Sequence, residues 1–283
     1  MNILFVCSGN TCRSPMAEGY LNSKNIVGLR AVSCGFLGDG DSVSENAVLA
    51  MKELGIDISQ HKSRLITKEL LKNADKIYCM GESHKSALLT AGVDAGKVYV
   101  LGGGISDPFG QDISVYRSCR DEIISAIDTL LFGGEFSPAI ILTATESDAP
   151  EISELEKKCF SSPWSENAIV EAMRHNTTFF KALYNGDFSG YVSVTAVAGE
   201  GYINNIAVKE NLRGKGIGTL LLHRAIAFSK DKKLDFLSLE VRKSNRGAVS
   251  LYNKLGFKEV GERKNFYENP RENGVIMTRK FNL

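Results

Sequence analysis

Cys7 and Arg13 are separated by five residues on a segment that directly follows the apolar run Ile3-Leu4-Phe5-Val6. A loop that leaves a buried strand and enters a helix directs its backbone N–H groups toward one point, so it can surround a tetrahedral dianion. The same N–H groups and the Arg13 charge would stabilise a thiolate at Cys7. Residues 7–14, called the phosphate-binding loop below, therefore predict a cysteine nucleophile that attacks a phosphoryl group.

A cysteine phosphatase also needs an acid that protonates the leaving group. Asp107 precedes Pro108 shortly after the last predicted strand of the first half of the chain. In an open parallel sheet, ligands bind beyond the carboxyl ends of the strands, which is where both Cys7 and this loop fall. Pro108 also restricts Asp107 to extended conformations. Asp107 is therefore the predicted general acid.

A second candidate segment, residues 213–218, has the sequence Arg-Gly-Lys-Gly-Ile-Gly and opens an apolar helix after a predicted strand. Glycines before a helix N-terminus suit the phosphate groups of many ligands. The segment predicts a phosphate-containing ligand, and the strands and helices around it are needed to identify that ligand.

The length and composition of the chain limit the possible classes of protein. The 283 residues suffice for two domains that each bury a core. Residues 1–136 carry 13 Lys and Arg against 16 Asp and Glu, and the remaining residues carry 21 against 17, so neither half indicates nucleic-acid binding. No apolar run is long enough to span a bilayer, and no signal-peptide pattern is present. The six cysteines lack zinc-type spacing. We expect a cytoplasmic protein without a metal, a nucleic-acid partner or membrane association.

Strands and helices alternate along the first half of the chain. Strands are predicted over residues 2–7, 30–34, 76–80 and 97–101, and helices over 16–24, 44–54, 67–73, 82–91 and 115–131. This alternation predicts an α/β domain with a doubly wound parallel sheet and helices on both faces.

Gly133, Gly134 and Pro138 interrupt the pattern and predict a domain boundary. A loop inside one large domain is the alternative, which the fresh strand pattern from Ala139 disfavours. The second half predicts strands over 139–143, 178–184, 190–198, 202–208, 236–241, 257–266 and 275–281, and helices over 149–159, 165–174, 216–229 and 245–255. This layout is typical of an α+β fold with a mixed, largely antiparallel sheet. The predicted domains are residues 1–135 and 139–283.

Residues 7–15, with the sequence Cys-Ser-Gly-Asn-Thr-Cys-Arg-Ser-Pro, and the later Asp-Pro pair resemble the low-molecular-weight protein phosphatases over about residues 1–131. The resemblance implies that Cys7 forms a phosphocysteine, that Arg13 binds the phosphoryl oxygens and that Asp107 acts first as acid and then as base for water. It also implies that Asn10 holds the loop in shape and that Ser14 donates a hydrogen bond to the Cys7 sulfur. The remaining substrate-binding residues would be Ser8, Gly9, Thr11 and Cys12.

Thr11 stands where tyrosine phosphatases of this family usually carry a bulkier aliphatic residue. A threonine there, together with the loop Asp107-Pro108-Phe109-Gly110, resembles the bacterial arginine phosphatase branch, which hydrolyses the P–N bond of phosphoarginine. A small polar wall suits a guanidinium, whereas a phenyl ring prefers an apolar wall. The hypothesis is a preference for phosphoarginine, with phosphotyrosine as the alternative.

Other polar residues near these motifs have simpler interpretations. Cys12 is interpreted as a packed neighbour of Cys7, close enough for a reversible protective disulfide. Four residues are interpreted as solvated charges or as surface and packing residues: Asp112, Asp128, His61 and His84. For residues 61–64, support of the phosphate-binding loop is a second interpretation.

The glycine-rich segment and its surroundings resemble the Gcn5-related N-acetyltransferases (GNAT) across about residues 139–281. The resemblance rests on strand 202–208 and on Leu239-Glu240-Val241, Asn245, Ala248, Leu251-Tyr252 and Leu255-Gly256-Phe257. It implies acetyl-CoA as cosubstrate, with the pyrophosphate on the amides of the glycine-rich segment and the pantetheine beside the strand. The implied cofactor-binding residues are Ile206, Ala207, Val208, Arg213, Gly214, Lys215, Gly216, Ile217, Gly218, Thr219, Asn245 and Tyr252.

Glu240 and Tyr252 match the positions at which this family carries its base and acid. Glu240 would take the amine proton, directly or through water, and Tyr252 would protonate the coenzyme A sulfur. Residues 163–165, residues 239–242 with 244–245, and residues 263–267 resemble the ribosomal-protein alanine N-acetyltransferases, which act on an N-terminal α-amine. Lysine or small-amine substrates are the alternative. The simpler interpretations are a core role for Trp164 and a solvated carboxylate at Glu240.

These features together predict a bifunctional enzyme whose partners are phosphorylated proteins and a protein N-terminus, such as that of a ribosomal protein. The competing hypothesis is that one half has lost turnover and only binds a phosphoprotein or coenzyme A. The presence of all five expected catalytic residues disfavours it: Cys7, Arg13, Asp107, Glu240 and Tyr252.

Overall fold

The first apolar run of the chain forms a strand inside a parallel sheet of four strands, in the order β2-β1-β3-β4. These strands are β1 (Asn2–Cys7), β2 (Arg30–Gly35), β3 (Lys76–Cys79) and β4 (Val98–Val100). Every residue of β1 after Asn2 is buried, as expected for a strand covered on both faces. The computed structural model describes residues 1–26 and 28–281, and the chain divides into two units, residues 1–131 and residues 132 onward.

Helices cover both faces of this sheet. They are α1 (Arg13–Ser23), α2 (Glu45–Lys52), α3 (Lys68–Asn73), α4 (Glu82–Thr90) and α5 (Ile113–Phe132). Leu4 and Val6 of β1 share one hydrophobic cluster with Leu88 of α4, while alternate β1 residues face the other side. α1 begins at Arg13, before the predicted start at residue 16, because Pro15 is compatible with the first helical turn.

One buried ion pair corrects an expectation about α5. The Asp128 carboxylate accepts a hydrogen bond from the Tyr20 hydroxyl at 2.9 Å and lies 2.9 Å from the ammonium of the buried Lys24. The interpretation of Asp128 as a solvated charge is therefore wrong. Asp112, by contrast, is exposed and accepts the backbone N–H of Ser114 at the start of α5.

The second unit contains a mixed sheet of seven strands in the order β10-β11-β9-β8-β7-β6-β5. The strands are β5 (Ala139–Thr143), β6 (Thr177–Tyr184), β7 (Asp187–Val197), β8 (Glu200–Val208), β9 (Phe236–Arg242), β10 (Lys258–Tyr267) and β11 (Glu272–Lys280). The helices are α6 (Ala149–Cys159), α7 (Glu166–Arg174), α8 (Ile217–Asp231) and α9 (Arg246–Lys254). Only β8 and β9 pair in parallel among the described strands of this sheet, and α8 provides the crossover that such a pair requires.

Two irregularities of β8 shape this unit. The register between β7 and β8 shifts between Val192 and Val194, so that Ser193 faces a bulge formed by Asn204 and Asn205. The pairing of β8 with β9 ends at Ile203, and the two strands separate beyond it.

The predicted fold classes of both halves are confirmed by this architecture. The first is a doubly wound parallel sheet and the second is an α+β fold. Within the described part of the chain, no helix is both long and apolar enough to cross a lipid bilayer.

Candidate active sites

The phosphate-binding loop joins the carboxyl end of β1 to α1. It lies where the strand order reverses, because β1 is flanked by β2 on one side and β3 on the other. The carbonyls of Cys7 and Ser8 accept hydrogen bonds from the segment that follows β2. A Cβ atom at Gly35 would lie 2.6 Å from the Ser8 carbonyl oxygen, so this close approach requires glycine. Because the Cys7 and Ser8 carbonyls are hydrogen-bonded to this neighbouring segment, the N–H groups of the loop can point to its concave side and bind an anion there.

The Cys7 sulfur accepts the Asn10 backbone N–H at 3.2 Å and lies 3.0 Å from the Ser14 hydroxyl. The Asn10 side chain determines the direction of the serine bond. Its Oδ1 accepts the Arg64 backbone N–H at 3.0 Å, so its Nδ2 is the donor to Ser14 Oγ at 2.9 Å and Ser33 Oγ at 2.8 Å. Because the Ser14 oxygen already accepts a hydrogen bond, its own proton can point to the sulfur. This arrangement stabilises a thiolate.

Three polar side chains, those of Ser33, Glu18 and His61, support the Asn10 side chain. Ser33 donates to the Glu18 carboxylate at 2.6 Å, and His61 Nε2 lies 3.1 Å from Asn10 Oδ1. His61 Nδ1 is 3.6 Å from the same carboxylate. The interpretation of residues 61–64 as support for the loop is confirmed. Sequence reasoning missed Glu18 and Ser33, although Glu18 lies one helical turn after Ser14 and so on the same face of α1.

The structure brings Arg13 and Asp107 together. Arg13 is only 7% exposed; it donates to the Ile105 carbonyl at 3.2 Å and to Asp107 Oδ2 at 2.5 Å. The other Asp107 oxygen accepts the Phe109 backbone N–H at 3.2 Å. The Asp107 side chain is half exposed, so this carboxyl can reach a substrate that enters from solvent.

His84 contacts the loop from the other side. Its Nε2 lies 2.9 Å from Ser8 Oγ, and its ring stacks on Phe36. Burial, followed by the nearby Arg13 charge, lowers the pKa of His84. Nδ1 has no hydrogen-bond partner in the described part of the chain, and a buried unpaired acceptor costs less than an unpaired donor. The neutral ring therefore carries its proton on Nε2 and donates it to Ser8. The sequence suggested either a surface or a packing role for His84, and the buried ring has a packing role. Its hydrogen bond with Ser8 was not predicted.

Cys12 is a packed neighbour of the loop, as interpreted from the sequence. Its sulfur lies 3.2 Å from the Tyr116 hydroxyl, and burial raises its pKa. Burial also raises the pKa of Tyr116 to about 12. Both groups are therefore neutral at pH 7.

In the second unit, the separation of β8 from β9 opens a gap beside Ile206, Ala207 and Val208. A strand edge without a partner strand offers N–H and C=O groups to an extended ligand. The pantetheine arm implied by the sequence resemblance is such a ligand.

The glycine-rich segment connects this gap to α8. Gly214 and Gly216 have φ angles of 79° and 82°, which favour glycine. Arg213 Nε donates to the Val208 carbonyl at 3.3 Å and anchors the segment to the end of β8. α8 begins at Ile217, so the free N–H groups of its first turn, up to Thr219, can bind phosphate oxygens.

A cavity of about 500 Å³ surrounds the Glu240 side chain, and Arg263 Nη1 lies 3.0 Å from Glu240 Oε1. Its walls combine aromatic, amide and aliphatic side chains: Trp164, Tyr202, Ile203, Asn204, Asn205, Ser238, Leu239, Phe266, Tyr267 and Ile276. Trp164 also packs edge-on against the core residue Phe179. Trp164 therefore both packs on the core and lines the cavity, and the Glu240 carboxylate lines the same cavity and is paired with Arg263. Sequence reasoning missed the amides of the β8 bulge.

Tyr252 is 6% exposed and packs against Phe257, and it is not among the residues that line this cavity. Burial raises the pKa of Tyr252, and Tyr267 raises it further. Burial and then the Glu240 charge raise the pKa of Tyr267 to about 12. Both phenols therefore hold their protons at neutral pH. Asn245 caps α9 by accepting the Ala248 N–H at 3.2 Å, which leaves its NH2 group for a ligand.

Comparison with protein families identifies both units. Residues 2–137 match the low molecular weight phosphotyrosine protein phosphatase family, and residues 149–257 match the acetyltransferase (GNAT) family. The chain belongs to both families, and both are families of enzymes. The resemblances stated from the sequence are confirmed.

Individual relatives agree with this assignment. A protein-arginine-phosphatase of Geobacillus stearothermophilus is 40% identical over 137 residues, covering 45% of this chain and 92% of the relative. A putative [ribosomal protein bS18]-alanine N-acetyltransferase of Bacillus subtilis is 34% identical over 132 residues, covering 46% and 87%. Arsenate reductase 2 of Staphylococcus haemolyticus is 38% identical over 131 residues, covering 45% and 93%.

Proposed function

We propose that this chain is a bifunctional enzyme that joins a protein-arginine phosphatase to an acetyl-CoA-dependent N-α-acetyltransferase. The observation that carries the first activity is the Cys7 sulfur within hydrogen-bond distance of the Ser14 hydroxyl and the Asn10 N–H, in a loop whose Arg13 forms an ion pair with Asp107. Phosphorylated proteins are the substrates proposed for this domain.

The phosphatase reaction proceeds in two displacements. The Cys7 thiolate attacks phosphorus while Asp107 gives its proton to the departing nitrogen, so the P–N bond breaks and a P–S bond forms. Asp107, now a carboxylate, takes a proton from water, and the resulting hydroxide breaks the P–S bond and releases phosphate. Arg13 and the N–H groups of the loop hold the three non-bridging oxygens in both steps. Cys7 and Asp107 return to their starting states.

The preference for phosphoarginine is proposed from the polar wall of the site. Thr11 carries a hydroxyl, and the hydroxyl of Ser8, in the same loop, is bonded to the uncharged His84. A neutral histidine does not repel a guanidinium, and both hydroxyls can accept its N–H groups. The relative named as a protein-arginine-phosphatase supports this substrate class.

The test compares kcat/KM on phosphoarginine and phosphotyrosine peptides of the same sequence. We expect the phosphoarginine peptide to be preferred, and Thr11→Ile to shift preference toward phosphotyrosine. Thr11→Val, which keeps the shape of threonine and removes its hydroxyl, separates polarity from size. Cys7→Ser sets the background rate. Equal or faster hydrolysis of phosphotyrosine by the unmodified enzyme would refute the proposed substrate.

For the second domain, the carrying observation is the cavity that contains Glu240 and opens where β8 and β9 separate. Bound acetyl-CoA, the acetyl donor of the GNAT family, supplies the acetyl group. The first turn of α8 and residues 213–216 would hold its pyrophosphate, while Ile206, Ala207, Val208 and Asn245 would contact the rest.

Glu240 is proposed to take a proton from the substrate ammonium and leave a nucleophilic amine. Tyr252 keeps its phenolic proton because burial raises its pKa, so it can protonate the departing thiolate. The aromatic and amide walls suit a peptide that enters by its N-terminus. An N-terminal alanine, as in the substrate named for the Bacillus subtilis relative, is the proposed acceptor.

Acetylation of a peptide that begins with alanine tests this activity. A second peptide, blocked at its N-terminus and containing lysine, measures side-chain acetylation. We expect acetylation of the first peptide only, and a loss of about 10²-fold or more in Glu240→Gln and Tyr252→Phe. If both variants retained the full rate, the roles of these residues would be wrong. Urea unfolding followed by the fluorescence of Trp164, which lies in the same domain, serves as the control for folding of each variant.

A further inference from the structure

Glu156 is a buried carboxylate with no role in the steps proposed above. It lies near the end of α6 and is 1% exposed. A charged carboxylate this deeply buried needs hydrogen-bond donors, because its transfer from water is costly. The hydrogen-bond partners of Glu156 therefore indicate its role.

Three donors from three separate elements meet at this carboxylate. Oε1 accepts hydrogen bonds from the Tyr191 hydroxyl of β7 and from Asn205 Nδ2 of β8 at 2.7 Å. Oε2 accepts the Trp164 backbone N–H, from the loop before α7, at 2.9 Å. Burial raises the pKa of Glu156, whereas the hydrogen bonds from Trp164 and Asn205 lower it. The carboxylate thus ties one loop and two strands together.

Two of these partners line the cavity around Glu240. Trp164 and Asn205 are both wall residues, and Asn205 belongs to the bulge in β8, where its backbone N–H is bonded to Ser193 Oγ. Tyr191 lies behind them and stacks on Phe179, which contacts the Trp164 ring.

We propose that Glu156 is a positioning residue that holds Trp164 and Asn205 in place as walls of the acceptor cavity. The role in catalysis rests on the proposed acetyltransferase function. Glu156 acts through these two residues and does not touch the substrate.

Glutamine at this position provides a sharp test because it keeps the size of the side chain. Its amide has one acceptor oxygen and one NH2 donor, so it cannot accept from all three partners. One orientation of the glutamine amide places its NH2 group against the Trp164 N–H, and the other places it against the Asn205 NH2 group, so that two donors face each other in both. Either orientation shifts a wall of the cavity.

Trp164 is the only tryptophan of the chain, so its fluorescence reports this loop directly. In the full chain, we expect Glu156→Gln to shift the Trp164 emission to longer wavelength. We also expect the Kd of an alanine-initiated peptide, titrated by the same fluorescence, to rise about tenfold, since small displacements are costly in such sites. The KM for acetyl-CoA should change less than twofold.

The matched control is Glu154→Gln on the same helix, where the carboxylate is exposed and paired with Lys157. It should leave emission, peptide Kd and turnover unchanged. Tyr191→Phe, which removes one donor and keeps the ring, should give a smaller change in the same direction and provides the test if Glu156→Gln does not fold.

Two outcomes would overturn the proposal: unchanged Trp164 emission in Glu156→Gln, or shifted emission with unchanged peptide Kd. Absence of acetylation by the unmodified chain would refute the proposed function instead. In that case, the emission and the peptide Kd still decide whether Glu156 positions the cavity.

Discussion

Replacing Asn10 with alanine is expected to lower the free energy of unfolding of the phosphatase domain by about 4 kcal/mol. Asn10 is fully buried, and its side chain donates to Ser14 and Ser33 and accepts from the Arg64 backbone. Each such hydrogen bond contributes about 1 kcal/mol net, so the three together contribute about 3 kcal/mol. The backbone of Asn10 is left-handed, with φ of 53°, where alanine costs about 1 kcal/mol more.

Glycine at the same position separates these two causes. Asn10→Gly loses the same side-chain hydrogen bonds but tolerates the left-handed backbone. It should therefore be more stable than Asn10→Ala by about 1 kcal/mol, against the usual direction of a change from alanine to glycine. Both variants should also lose phosphatase turnover, because the Ser14 proton is no longer directed toward the Cys7 sulfur.

Amide hydrogen exchange of peptides from β1 and α1 in the full chain measures the opening free energy of this domain. Trp164 fluorescence during urea unfolding reports the other domain, which should be unaffected. Asn46→Ala is the matched control, because Asn46 makes one side-chain hydrogen bond, to the Gln111 carbonyl, and its loss should cost about 1 kcal/mol or less. A loss below about 1 kcal/mol in Asn10→Ala, or a glycine variant less stable than the alanine variant, would refute this account.

Three further predictions concern the same domain. Asp128→Ala should cost about 3–5 kcal/mol in chemical denaturation, because it removes the carboxylate that forms an ion pair with the buried Lys24 ammonium, and adding Lys24→Met should recover part of this loss. If Asp128→Ala lost no more stability than the double variant, loss of the ion pair would not explain the destabilisation. Gly35→Ala should lower the phosphatase kcat/KM at least about tenfold, because the added Cβ would lie 2.6 Å from the backbone of the phosphate-binding loop. Gly81→Ala is the control and should leave kcat/KM unchanged, because its Cβ would have no neighbour closer than 3.7 Å. The pKa of His84 is lowered in the folded protein, so below about pH 6.5 the unfolded state binds more protons and stability falls as pH falls. Denaturation midpoints measured across this range should depend less on pH in His84→Gln, and an unchanged slope would contradict this assignment.

Much of the fold could be predicted from the sequence because its signals are local. The buried strand at residues 3–6 is a continuous apolar run, and the boundary after α5 is marked by adjacent glycines. The sequence pattern predicts the start of α1 three residues too late, because proline usually marks a helix boundary but is tolerated in the first turn, where Pro15 lies. The bulge at Asn204 and Asn205 left no comparable signal, because it depends on register with β7.

Charged residues were the least predictable part. Asp128 and Glu156 both occur in helices, and their sequence neighbours do not reveal which distant groups they contact. Asp128 is held by Lys24 and Tyr20, and Glu156 by groups from β7, β8 and a loop. A buried charge is stable only where the folded chain assembles its donors, so its role appears only in the tertiary structure.

The sequence by itself determined the two motifs on which the proposed chemistry rests. The proposed nucleophile, the arginine and the amides of the first site lie within residues 7–14, and the glycines of the second lie within residues 213–218, so each motif is specified by neighbours in the chain. Only the tertiary structure decided which groups orient that chemistry. His84 reaches Ser8 across 76 residues, Arg64 reaches Asn10 across 54, and Glu156 reaches Asn205 across 49. Hydrogen-bond direction and burial depend on packing between distant segments, which no local pattern contains.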